Sequence, residues 1–212
     1  MTEVYCYAFA EDELSCAVMV RLIEFVNETT RKLPIRFFQG FPQNKHGKSN
    51  LKSIIHKVCN MSKSNICSIV LTDLDRDICA PEIIRSWFCC SNLEAAIPEN
   101  VIFRVAESEV ESWLLADRHG LSRFLEISKE NITKEPDALI DPKEYLLGVI
   151  RKKGNKKYHR QMLPMDFAHV GPEYNPILSK FAIEHWNIKQ AQQKSPSLQR
   201  TVFAISKFKN TI

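Results

Sequence analysis

The order of apolar and polar positions divides the chain into two unlike parts. Up to residue 117, short apolar runs alternate with longer stretches whose apolar residues recur every three or four positions. The runs VYCYAFA (4–10), PIRFFQ (34–39), NICSIVL (65–71) and NVIFRVA (100–106) are rich in β-branched and aromatic residues and read as strands. Segments 14–27, 51–61, 81–90 and 107–117 carry helical spacing. Glu11, Asp12 and Glu13 stand before the first of them, where negative charge suits a helix N-terminus. The run at 65–71 is apolar almost without interruption, as in a strand covered on both faces of a parallel sheet. Strand and helix alternate four times, which predicts a parallel α/β sheet. Past residue 117 the strand pattern stops, and segments 141–152, 177–193 and 198–208 read as helices. The expected organisation is an α/β core over 1–117 and a helical region over 118–212, packed on or beside it.

Composition narrows the class. A chain of 212 residues with 44% hydrophobic and 25% charged residues is one ordinary globular domain, or a domain with a helical appendage, and not a disordered chain. No apolar run approaches the roughly 18–20 residues of a membrane span, so no membrane partner is expected. The start, MTEVYCYAFAEDE, has neither a basic leader segment nor a cleavage site, and a cytoplasmic location is expected. Seven cysteines, at 6, 16, 59, 67, 79, 89 and 90, include no C-x-x-C pair. That spacing disfavours a zinc ribbon, and the odd number reads as reduced thiols, most of them small buried hydrophobes. Trp87, Trp113 and Trp186 lie among apolar neighbours and read as core.

Charge is unevenly placed. Residues 143–212 hold 13 Lys or Arg against 4 Asp or Glu, whereas residues 1–142 hold 16 against 21. An acidic front and a basic back suit a protein that holds metal with carboxylates and a polyanion with its tail.

The acids collect where chemistry is expected. In an open parallel sheet, ligands bind outside the carboxyl ends of the strands. The first strand runs into Glu11 and Glu13, the third into Asp73, Asp75 and Asp77, and the fourth into Glu107, Glu109 and Glu111. Carboxylates gathered at one rim repel, and one of them stays protonated unless a cation compensates. An all-oxygen set without paired Cys or His points to Mg²⁺ or Mn²⁺. Asp73 and Asp75 are the expected ligands of an Asp-x-Asp pair, with Glu11 the nearest acid of the first strand. Asp77 is either a further ligand or a cap of the next helix. Glu107 and Glu111 share a face if the fourth helix begins at 107, whereas Glu109 and Glu111 straddle its first turn if it begins later. Single acids after strands are usually loop and cap residues, whereas three strands ending in acids together point to a metal site.

A strand ending in Glu, then a helix, then a strand ending in Asp-x-Asp resembles the Toprim domain of topoisomerases, primases, small maturation ribonucleases and OLD-type nucleases. AEDELSCAV, VLTDLDRD, VAESEVESWLLAD and SPSLQR are similar to small Toprim-like proteins of bacterial anti-phage defence operons. The resemblance implies a Toprim-like, Rossmann-like core, with Glu11 in the place of the family's single glutamate and Asp73 and Asp75 in that of its Mg²⁺-binding pair. It also implies an ATPase partner. Two positions depart from the family pattern, since Glu11 is followed by Asp12 rather than Gly, and Arg76-Asp77 follows the Asp-x-Asp where glycine is usual.

Basic residues complete the reading. Gly47-Lys48-Ser49 is no P-loop, because Pro42 stands where the first glycine is needed. Lys45 and Lys48 nevertheless lie in a loop that reaches the acidic rim if the second strand is parallel, where they could meet a phosphate. Six of the ten residues 151–160 are cationic: Arg151, Lys152, Lys153, Lys156, Lys157 and Arg160. Such a run can track a phosphate backbone, although charge runs are also commonly plain solvated surface. Arg200 opens the last helix and either faces the site or pairs structurally. The expected function is a Mg²⁺- or Mn²⁺-dependent nuclease acting on DNA, or on RNA, as the effector of an anti-phage system with an ATPase partner. The alternatives are a non-catalytic binding subunit of such a complex and a Mg²⁺-dependent phosphatase with Asp73 as nucleophile, which would not use Glu11.

Overall fold

A computed structural model of the chain describes residues 3–30, 33–88, 97–165 and 167–208. The four forecast strands form as β1 (Val4–Ala10), β2 (Ile35–Phe37), β4 (Cys67–Asp73) and β5 (Val101–Ala106). A two-residue strand, β3 (Gln43–Asn44), joins them from the polar loop after β2. All pairings are parallel, in the order β2-β1-β4-β5, with β3 beside the end of β1. The protein is an α/β, Rossmann-like fold with helices on both faces of the sheet.

Each strand return is made by helices. α1 (Glu13–Thr29) follows β1, and the Asp12 carboxylate caps it by accepting the Ser15 amide at 2.7 Å. α2 (Lys48–Ser53) and α3 (Ile55–Lys63) lead to β4, and α4 (Ala80–Phe88) leads toward β5. Alternation along β1 sends Cys6, Ala8 and Ala10 to the face covered by α1, and Phe9 to the other, where it meets Leu51, Ile55, Val70 and Phe103. The central strand β4 is buried along its whole length, as its unbroken apolar run predicts. Asn27 of α1 pins β2 through two 2.8 Å hydrogen bonds, one to the Ile35 carbonyl and one from the Ile35 amide.

The remaining helices are α5 (Val110–Ala116), α6 (Arg118–Phe124), α7 (Pro142–Lys153), α8 (Lys157–Met162), α9 (Tyr174–Glu184), α10 (Ile188–Ala191) and α11 (Pro196–Lys207). Trp113, Tyr174, Leu178 and Phe181 share one continuous apolar cluster with β1, α1 and β4. The three tryptophans are buried.

Several boundaries differ from the sequence expectation. The helix forecast over 51–61 begins at Lys48 and is interrupted at Ile54. The helix forecast from Glu107 begins only at Val110, because Ser108 takes a left-handed φ of 62° and Glu109 an extended one of −144°. The single helix forecast over 177–193 is two, since Asn187 starts a new N-cap by accepting the Gln190 amide. α6 and α8 are short helices inside stretches without helical periodicity. The fourth helix, forecast to residue 90, is described to Phe88, and Cys89 and Cys90 lie outside the described residues. Among the described residues, no helix is long and apolar enough to cross a membrane.

Candidate functional site

Parallel pairing carries the acids of three strands to one rim. Ala10 pairs with Leu71, and Asp73 with Ala106, so Glu11 lies beside Thr72 and the 107–111 segment beside the Asp-x-Asp. Glu11 Oε1 accepts the Asp73 amide at 2.9 Å and the Thr72 hydroxyl. Asp73 Oδ1 accepts the Val110 amide at 2.9 Å. The loops after β4 and β5 are stitched together by Leu74 N–H to the Ala106 carbonyl at 2.9 Å and Asp75 N–H to the Ser108 carbonyl at 2.8 Å. Asp75 takes a left-handed φ of 51°, which an aspartate tolerates better than most residues.

The acids divide into two groups, with Asp73 between them. In the first, Lys48 Nζ donates to Asp75 Oδ2 at 2.9 Å and to the Asp73 carbonyl at 2.6 Å, and it pairs with Asp77 Oδ2 at 2.7 Å. In the second, the Lys143 amide donates to Glu109 Oε2 at 2.8 Å, and its ammonium lies 3.2 Å from Glu109 Oε1 and 3.7 Å from Glu111 Oε1. The Tyr174 hydroxyl donates to Glu111 Oε1 at 3.2 Å. Glu111 Oε2 is buried and has no hydrogen-bond partner.

Protonation follows from burial and crowding. Burial pushes Asp73 well above the usual carboxylate range, and the charges of Glu111, Glu11 and Asp12 push further against the pull of Lys143. Burial likewise raises Glu111 to about 7, with Lys143 opposing and Glu109 and Asp12 adding. Glu11 is raised by burial, although the Thr72 and Asp73 hydrogen bonds hold it back. Burial works to lower both lysines, and the acids facing them overcome it: Asp77 and Asp75 for Lys48, Glu111 and Glu109 for Lys143.

The donors fit a hard divalent cation in kind. They are carboxylates only, one buried oxygen is orphaned, and the second oxygens of Glu11 and Asp73 accept no hydrogen bond among the described residues. Among the described residues, no three Asp, Glu, His or Cys side chains stand together as a metal-ligating group. Lys48 and Lys143 bring positive charge to this rim.

The other forecast residues fall in three places. Lys45 is at the rim: its amide donates to the Ala10 carbonyl at 2.8 Å, and its ammonium sits 4.9 Å over the Phe9 ring. Arg151, Lys152 and Lys153 end α7, Lys156 caps α8, and Lys157 and Arg160 lie on α8. Lys143 lies in the first turn of α7, so Lys152 is displaced from the acids by roughly 14 Å of helical rise. Arg151 lies 3.6 Å from Glu144, and Lys156 2.8 Å from Glu126. Arg200 and Glu107 pair with each other at 2.9 Å, and Glu107 makes no bond to the acidic groups.

Sequence reasoning missed Thr72, Lys143 and Tyr174. Thr72 sits inside the motif it serves, between a strand and its acid. Lys143 and Tyr174 are 34 and 63 residues from the glutamates they meet, and nothing local announces them.

The fold and site thus define an α/β protein with a carboxylate-lined rim at the carboxyl ends of a parallel sheet. No family model matches the chain, and no curated protein matches it. Among solved structures it is similar to the C-terminal region of an OLD protein from Xanthomonas campestris pv. campestris. The identity is 17% and the TM-score 0.38, over 86% of this chain and 93% of that one.

Proposed function

We propose that the chain is a metal-dependent nuclease that hydrolyses phosphodiester bonds of DNA. One observation carries the reading: Asp73 is buried with Glu11 and Glu111, acids of two other strand ends, close enough that their charges add to burial in raising its proton affinity, and one buried oxygen of Glu111 is orphaned. A buried carboxylate oxygen without a hydrogen-bond donor is a lone pair that a cation could use. Glu11, Asp73, Glu109 and Glu111 would hold Mg²⁺ or Mn²⁺, with Asp75 and Asp77 beside them. When bound, such an ion supplies an activated water and neutralises the scissile phosphate. The chain's own residues do the rest. Thr72 and the Asp73 amide orient Glu11, and the Val110 amide orients Asp73. Lys45 stands at the rim, in reach of an incoming phosphate. Lys152, Lys153 and Lys157 are exposed, and a displacement of roughly 14 Å is about four nucleotides of a strand at roughly 3.4 Å each. They would position a strand without reading its sequence. The resemblance to proteins of anti-phage operons adds a defence role and an ATPase partner to this reading.

The test is cleavage of plasmid and of single-stranded DNA with Mg²⁺ or Mn²⁺. Glu11→Gln and Asp73→Asn are expected to lower the rate by about 100-fold or more while leaving the fold intact by circular dichroism. Wild-type protein that cuts neither substrate with either metal refutes the proposal, as does cleavage that survives both substitutions.

A second reading is favoured by the lysines. Lys48 and Lys143 already counter the acids, as they would in a binding subunit that keeps the fold without catalysis. That subunit would bind DNA equally well before and after Glu11→Gln and show no metal-dependent cleavage.

A further inference from the structure

A cavity of about 320 Å³ opens beside the acidic rim at β5, the last strand of the sheet among the described residues. Its volume lies within the range of small-ligand sites. Leu74, Ile84 and Phe103 give it an apolar wall, and Arg104, Glu107 and Arg200 give it polar groups. Leu74 directly follows Asp73, so the cavity begins one residue, about 3.8 Å along the chain, from the buried acid.

Its charges do not balance. Arg200 reaches Glu107 at 2.9 Å, but both side chains are about half exposed or more, and such a pair yields to a competing anion. Arg104 is half-buried, and its Nε donates only to the Thr201 hydroxyl, at 3.3 Å. No carboxylate among the described residues lies within ion-pair distance of Arg104. Burial, and then the neighbouring Arg200, push its guanidinium below its usual proton affinity. The lining thus holds two guanidinium groups and one carboxylate, the neighbouring Asp137 being held by the Ser195 hydroxyl and the Ser197 amide, and beside an apolar wall this matches a ligand that is anionic at one end and flat and apolar at the other.

We propose that this cavity holds one nucleotide of the strand on which the acidic rim acts, its phosphate on Arg104 and Arg200 and its base against Leu74 and Ile84. The inference rests on the nuclease reading and adds to it a subsite that the strand-end acids do not contain. Glu107 occupies Arg200 while the cavity is empty and gives it up to the phosphate.

The experiment measures binding with EDTA present, so that cleavage does not enter. The probe is a short fluorescein-labelled single-stranded oligodeoxynucleotide, followed by anisotropy over a range of salt, with a deoxynucleoside monophosphate as competitor. Arg200→Gln lies on the surface and should fold normally. It is expected to weaken oligonucleotide binding about ten-fold, and Arg104→Gln on top of it further. The slope of log affinity against log salt should fall by about 0.7 for the lost phosphate contact. Glu107→Gln should tighten binding several-fold, which loss of a structural ion pair would not do. Competition by the monophosphate should vanish in Arg200→Gln. Unchanged affinity, salt slope and competition in Arg200→Gln overturn the subsite, and the nuclease reading survives if Glu11→Gln still abolishes cleavage. Arginine-dependent binding by a protein that cuts nothing leaves the subsite standing and removes the nuclease reading.

Discussion

Glu111 offers the sharpest physical test of the site. Its side chain is 1% exposed, one oxygen is orphaned, and burial lifts its proton affinity from 4.5 to about 7. Between those pH values the folded chain holds a proton that the unfolded chain has released. Stability therefore falls as pH rises through this window, and the loss is complete above about 7. A rise from 4.5 to about 7, at about 1.4 kcal/mol per pH unit, amounts to about 3 kcal/mol. Glu111→Gln keeps the volume and the oxygen that accepts the Tyr174 hydroxyl, and it removes the titration. Urea unfolding at pH 5 should find wild type and variant similar. At pH 8 the variant should be more stable by about 3 kcal/mol. Mg²⁺ at pH 8 should stabilise wild type more than the variant, because the ion binds only the folded chain. Parallel stability curves for the two proteins from pH 5 to pH 8 would refute the burial argument.

Two further outcomes follow from the same contacts. Lys143→Met removes the cation facing Glu109 and Glu111 and should cost on the order of 2 kcal/mol at pH 8, below the 3–5 of a fully buried pair because the ammonium is partly exposed. Combined with Glu111→Gln the loss should shrink, and additivity within about 0.5 kcal/mol in a double-mutant cycle would show that the two side chains do not interact. Asn27→Ala removes both hydrogen bonds that hold β2 to α1, and should cost about 2 kcal/mol and speed hydrogen exchange at the buried Ile35 amide. An Ile35 amide protected as in wild type would assign the hold on β2 to its pairing with β1 alone.

The sequence by itself determined the sheet. The period-two run of β1 and the unbroken apolar run of β4 encode one strand with two different faces and another covered on both. Alternation with helices then requires parallel pairing, which brings Glu11, Asp73 and the 107–111 acids to one rim. The choice among those acids was not legible. It depends on where α5 begins, and a left-handed Ser108, an event of two dihedral angles, moves that start to Val110 and sends Glu107 to Arg200 while Glu109 and Glu111 turn to Lys143. Only the tertiary structure decided which charges meet. Lys143 and Tyr174 are brought to the glutamates on later helices, α7 and α9, and Lys48, a loop cation in the sequence, turns inward onto Asp75 and Asp77. Periodicity records which face of an element is buried, because burial repeats with the backbone. A single polar contact between distant segments leaves no such period, and it becomes visible only when the chain has folded.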